Sequence, residues 1–165
     1  MILAPVGDFP QDLLEELSFR TAIPMGGRRI NLDVAFDAGR RQYHSTILIE
    51  ELKKAYPGTV IGATSLDLFI PVLTFVFGEA EMPGRAAIFS MHRLRQEFYG
   101  LPPDGDLLIE RSLKELNHEL GHTAGLAHCR DPFCVMSSSA SVERVDSKDT
   151  AFCPACDARV RSRNL

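Results

Sequence analysis

The sequence is poor in whatever would tie it to a nucleic acid or a membrane. Lys and Arg number 18 against 22 Asp and Glu, for a net charge of −4, whereas phosphate contacts need clustered cations. The one basic stretch, the C-terminal ARVRSRNL, reads as a solvated tail. The longest apolar run, near LDLFIPVLTFVFGEA, is too short and too interrupted to span a bilayer. The opening MILAPVGDFPQDLLEEL has no basic segment ahead of a long apolar one, so no secretory signal and a cytoplasmic location are expected. MGGRR lacks the Lys-Ser/Thr of a phosphate-binding loop, and no Gly-x-Ser-x-Gly nucleophile turn occurs. Internal repeats are missing. Cysteine is scarce, at four residues. In a reducing compartment those four favour metal binding over disulfides.

What remains is a chain of 165 residues, 45% hydrophobic, enough for one domain with a core of its own. DFPQDLLEELSFRT carries Leu13, Leu14 and Leu17 at helical spacing. In RRINLDVAF, Ile30, Leu32, Val34 and Phe36 alternate with mostly polar residues, which predicts a strand. RRQYHSTILIEELKKAYPG predicts a second helix with a Pro-Gly stop. TVIGATSLDLFI and PVLTFVFGEA look like strand and loop material, and GRAAIFSMHRL like a further strand. The strongest helix runs from Asp106 to Leu126, with Asp104 or Asp106 as its cap and Gly125 as its terminator. Beyond it the chain is short of large apolar residues and holds all four cysteines. The order predicts a single α/β (α+β) domain. A mixed, twisted sheet packs on two or three helices over 1–127, and a small subdomain fills 128–165.

Three of the five histidines fall in HELGHTAGLAHC. His118 and His122, four apart, share a helix face one turn apart, so both imidazoles can reach one ion. Glu119 flanks that face and can reach a metal-bound water as general base without being a ligand. Catalytic zinc takes three protein ligands and keeps one open position. Gly125 allows a sharp turn because glycine takes positive φ at little cost, and the chain returns with His128 as the third nitrogen. The competing reading, solvated histidines on a surface helix, leaves this whole string unexplained.

Cys129, Cys134, Cys153 and Cys156 form two closely spaced pairs, a spacing suited to a closed, tetrahedral, structural zinc site. Pro154 inside CPAC favours the tight knuckle such ligands need. Cys129 directly follows His128, so a structural zinc would pin the loop that delivers His128 and Met136, replacing a core as the source of order. Two zinc ions per chain are therefore expected.

His118 to His128, then Cys129, Cys134, the Cys-x-Met of CVM and the late CPAC together resemble the archaemetzincins, a family of metzincin zinc metallopeptidases. LTFVFGEA and RQYHST are similar to that family with less specificity. The loop between Met136 and Cys153 is about one residue shorter than the family's pattern. The resemblance implies a metzincin-like fold, an active-site helix, and Met136 as the apolar floor of the metal site. It also implies a strand that pairs with extended substrate along a sheet edge; Arg85 to Met91 is expected to be that edge, with an inner strand as the alternative for the segment. His92 borders that region. His44 is expected to be a polar or capping residue, and Tyr43 and Tyr99, as oxyanion donors or packing residues, are left open. The expected function is hydrolysis of peptide bonds in peptide or protein substrates. A module that binds peptides without cutting them is the alternative. A nucleic-acid module built on the thiols and the basic tail runs against the acidic charge.

Overall fold

The computed structural model describes residues 1–162. The central sheet has the order β1-β4-β7-β6. Its members are β1 (Ile2–Val6), β4 (Val60–Thr64), β7 (Ala86–Ser90) and β6 (Gly78–Ala80). The first three run parallel, and β6 closes one edge antiparallel to β7, with Gly78 opposite Phe89 and Ala80 opposite Ala87.

Helices cover both faces, so β4 and β7 are buried along their whole length, as parallel strands under crossover helices must be. Successive strand residues point to opposite faces. Leu3, Ile61, Ala63, Ala87 and Phe89 pack with Leu13, Leu14 and Leu17 of α1 (Gln11–Thr21) and Leu113 and Leu116 of α3 (Gly105–Thr123). Ala4, Val6, Val60, Ala86 and Ile88 pack with Leu48, Ile49 and Leu52 of α2 (Ser45–Ala55) on the other side. Each fully buried Leu, Ile or Phe contributes about 1.5–3 kcal/mol. The mixed sheet between helices is the architecture expected from the sequence.

A second, three-stranded sheet has the order β2-β3-β5, from Phe36–Asp37, Gln42–His44 and Leu68–Phe69. It corrects two expectations. Residues 30–35 do not form a strand. Asn31 Oδ1 accepts from the Asp33 amide at 3.1 Å, a local turn that leads into a 3-10 turn at Asp33–Ala35. Val34 and Phe36 are about half exposed while Ala35 is buried, so the apolar alternation does not mark one buried face. The second helix begins later than expected, at Ser45, because Gln42 is tied into this sheet by side-chain hydrogen bonds to Asp67 and Thr74, both 2.9 Å. β1 itself went unread in the opening residues.

α3 is capped by Asp104, whose Oδ1 accepts from the Leu107 amide at 2.9 Å. It ends at Thr123, before the expected Leu126, and Gly125 sits at φ 81°. Two short helices follow, α4 (Val142–Ser147) and α5 (Pro154–Arg161). The expected basic tail is partly helical: Arg159 and Arg161 lie on the last turn of α5, and Arg161 pairs with Asp157 at 2.8 Å. Its last three residues, 163–165, lie outside the described range. No described helix is long and apolar enough to cross a membrane.

Candidate active site

α3 lies beside β6 across a cleft of about 590 Å³. One wall is β6 with the apolar segment before it, including Leu73, Phe75 and Phe77. The other is formed by α3 and the chain after it. His118, Glu119, His122 and His128 all line this space, so the three histidines and the glutamate singled out in the sequence do come together.

Helical spacing stacks His118 over His122, and the turn at Gly125 returns His128 beside them. Ring centroids are 4.6 Å apart for His118 and His122, 5.3 Å for His118 and His128, and 5.0 Å for His122 and His128. One nitrogen from each ring lies within 4.8 Å of the others. His118 Nδ1 is 2.8 Å from the Val135 carbonyl and His122 Nδ1 is 2.7 Å from the Leu126 carbonyl. A carbonyl only accepts, so each Nδ1 carries the proton and donates. That leaves two Nε2 lone pairs facing each other at 3.1 Å. Burial, and then the charge of Lys148, hold the His118 pKa down to about 3, so its ring is neutral. Two neutral acceptors that close repel unless a cation joins them. The tetrahedral edge for Zn–N bonds of 2.0–2.1 Å is about 3.3–3.4 Å, so the pair suits a zinc ion.

Glu119 is buried, and its Oε2 has no hydrogen-bond partner among the described residues. Burial, and then the negative charge of Glu115, push its pKa well above the ordinary carboxylate value, against the pull of Lys148. A buried carboxyl oxygen without a partner, beside three converging histidines, makes Glu119 a candidate for chemistry. Beneath the helix, Met136 is fully buried. A Cβ at Gly121 would collide with its Sδ and come within 2.9 Å of Phe152 Cε1. The close packing of Met136 against α3 thus depends on a glycine inside the helix motif.

The sulfurs of Cys129, Cys134, Cys153 and Cys156 also lie within 4.8 Å of one another, and none is in a disulfide. Cys129 and Cys153 Sγ are 3.9 Å apart, near the edge of about 3.8 Å for tetrahedral Zn–S bonds of 2.3 Å. The Cys156 backbone N–H beside Cys153 draws that thiol below its ordinary pKa, whereas burial pushes the Cys134 and Cys156 thiols up, so a metal bound there would have to displace their protons. The two clusters are mechanically linked. Val135, whose carbonyl orients His118, lies between Cys134 and Met136, and the Cys129 amide donates to the Met136 carbonyl at 2.9 Å.

This joint pattern decides the family. The family model of peptidase family M54 matches residues 38–162. The chain belongs to peptidase family M54. It is 40% identical to an archaemetzincin of Methanocaldococcus jannaschii, covering 99% of this chain and 93% of that one. An archaemetzincin of Pyrococcus furiosus is 38% identical over the same shares. The crystal structure of an archaemetzincin from Methanopyrus kandleri matches with a TM-score of 0.86 at 37% identity, covering 99% and 94%. One from Archaeoglobus fulgidus, complexed with malonate, matches at 0.80 and 32%, covering 96% and 98%. The M54 chain is accordingly a zinc metallopeptidase, and the fold and family expected from its motifs are those found.

Other expectations are corrected or placed. Arg85 to Met91 is an inner strand between β4 and β6. The edge facing the cleft is β6, whose three residues Gly78–Ala80 are too few to show an apolar alternation. Neither tyrosine lines the cleft: Tyr99 OH donates to the Arg93 carbonyl at 2.8 Å and Tyr43 packs on Phe36. His92 stacks against Phe98, and His44 stands before α2 against Phe69. The cleft wall also holds an ion pair with no signature in the sequence, Lys148 with Glu115, 2.9 Å apart and almost wholly buried. Glu115 precedes Glu119 by one helical turn, but nothing local in the sequence points to Lys148 as its partner.

Proposed function

We propose that this protein hydrolyses peptide bonds at His118, His122 and His128, which hold a catalytic zinc, with Glu119 as general base. The chain would act as one catalytic unit, its part at 128–165 ordered by a second zinc on Cys129, Cys134, Cys153 and Cys156, and Met136 forming the floor. The observation that carries the reading is the pair of Nε2 lone pairs at 3.1 Å with both Nδ1 atoms committed to carbonyls. Only a cation completes that arrangement.

A zinc ion held by His118, His122 and His128 would supply Lewis acidity there, for the peptide carbonyl and for the attacking water. Glu119 accepts the proton of the attacking water and returns it to the leaving amine. Its Oε2 has no hydrogen-bond partner among the described residues, which leaves the carboxylate available for both transfers. The Val135 and Leu126 carbonyls keep His118 and His122 in the tautomer that presents Nε2. The edge of β6 offers main-chain groups along which an extended peptide can lie, and the apolar wall at Leu73, Phe75 and Phe77 shields it from water. The four thiols, none in a disulfide, suit a reducing compartment such as the cytoplasm. Peptides, rather than nucleic acid, are the partners that fit this cleft.

Glu119→Gln tests the reading. The variant keeps zinc by elemental analysis and loses cleavage of a peptide library by about a hundred- to ten-thousandfold, as expected for loss of a base that contributes about 10²–10⁴. Cleavage at the parent rate refutes Glu119 as the base. Tight peptide binding by a zinc-loaded parent that cuts nothing makes the protein a binding module.

A further inference from the structure

Gly78 has no conformational reason to be glycine. It is not among the residues with positive φ, so any side chain fits its backbone. What it lacks is space. A Cβ built there lies 2.8 Å from both Cδ and Cγ of Glu119 and closer still to Oε1. Gly78 is also the first residue of β6, the edge strand that faces the cleft.

Neither backbone can give way easily. The Ser90 amide donates to the Phe77 carbonyl at 2.7 Å, and Phe77 is buried with Leu94, Val142 and Val145. The next residue, Glu79, accepts from the hydroxyls of Ser45 and Thr46 at the start of α2. On the other side, α3 is tied down by Arg111, which donates to Asp146 and to the Leu94 carbonyl, and by Asn117, which donates to the Thr150 carbonyl at 3.0 Å. The mobile part is the Glu119 carboxyl, whose Oε2 has no partner to hold it among the described residues.

We infer that Gly78 is a positioning residue for the reaction: its bare Cα forms the notch in which the Glu119 carboxylate stands. One strand thereby sets both the rail for an extended substrate and the location of the proton acceptor. A methyl group in the notch moves the carboxylate by about 1 Å, from a clash to ordinary contact. A displacement of that size at a catalytic group costs about a hundredfold. The clash reaches Cγ as well as the carboxylate of the buried Glu119, so the side chain must rotate about χ1, at a modest cost that leaves the fold in place.

The inference rests on Glu119 being the base, and the experiment separates the two. In the zinc-loaded Gly78→Ala variant, kcat falls about a hundredfold while KM stays within about threefold. Both metal sites stay filled, and a crystal structure shows the Glu119 carboxylate displaced with β6 in register. In a Glu119→Ala background, where no atom beyond Cβ remains and the notch is empty, adding Gly78→Ala changes the residual rate by less than about fivefold. An unmoved carboxylate in the crystal, parental kcat, or a shift of β6 in place of the carboxylate overturns the role of Gly78. If Glu119→Gln is inactive while Gly78→Ala is fully active, only this inference falls. If Glu119→Gln is active, the assignment of the base falls.

Discussion

Replacing Lys148 with Met should be among the most damaging single changes outside the ligand set. The Lys148 and Glu115 side chains are 1% and 4% exposed, and their charged atoms are 2.9 Å apart. Methionine has nearly the shape of the lysine stem, so the lost interaction is electrostatic rather than a cavity. What remains is a carboxylate sealed in the cleft wall without its counter-ion. Breaking a buried pair from one side costs about 3–5 kcal/mol. For a chain of this size each kcal/mol lowers Tm by about 2–4 °C, so the zinc-loaded variant should melt about 6–20 °C below the parent. The double variant Lys148→Met with Glu115→Met removes both charges at similar volume, and should return to within about 1 kcal/mol of the parent or above it. Thermal and urea unfolding at fixed zinc concentration measures all three proteins and closes the cycle. A loss under about 1 kcal/mol in the single variant refutes the reasoning. So does a double variant no more stable than the single, because the damage would then come from packing and not from an abandoned charge.

Two further outcomes are expected at the metal sites. Elemental analysis of the purified protein should give two zinc ions per chain, and Cys129→Ser should leave about one or fewer, with a lowered Tm, because one thiolate in four is missing. Retention of two tightly held ions would remove the thiols from the coordination scheme. Gly121→Ala should cost about 1–3 kcal/mol, since its methyl overlaps Met136 and Phe152 inside a packed layer. Zinc titration should show the histidine site weakened in that variant while the thiol site holds. A variant as stable as the parent, with normal zinc affinity at the histidines, would separate Met136 from the metal site.

The parts of the site that lie close together in sequence were legible. His118, Glu119 and His122 need only helical periodicity, and His128 needs only a turn that glycine allows. The cysteine pairs announce themselves by spacing. β4 and β7 were visible because a strand buried on both faces is a continuous apolar run, as in VIGAT and AAIFS. What stayed hidden depends on contacts across the fold. Three residues of β6 carry too little pattern to read as a strand, so the cleft edge was assigned to its inner neighbour. Gly78 meets Glu119, and Lys148 meets Glu115, only after the sheet has packed against α3. At Val34 and Phe36 an apolar alternation matched a strand, but the turn begun by Asn31 prevailed. Periodicity reports which face a segment could bury, and tertiary packing decides whether it does.

The peptide bond between His128 and Cys129 has a consequence for how this chain can vary. Two donor sets meet there with no spacer, so neither can slide along the backbone without dragging the other. One residue inserted at that junction would throw an imidazole or a sulfur out of its cluster. The exposed stretch around Ser138 and Ala140, by contrast, can lengthen or shorten while both clusters keep their shape. Variation in length among functional variants should therefore gather in that loop and spare the junction.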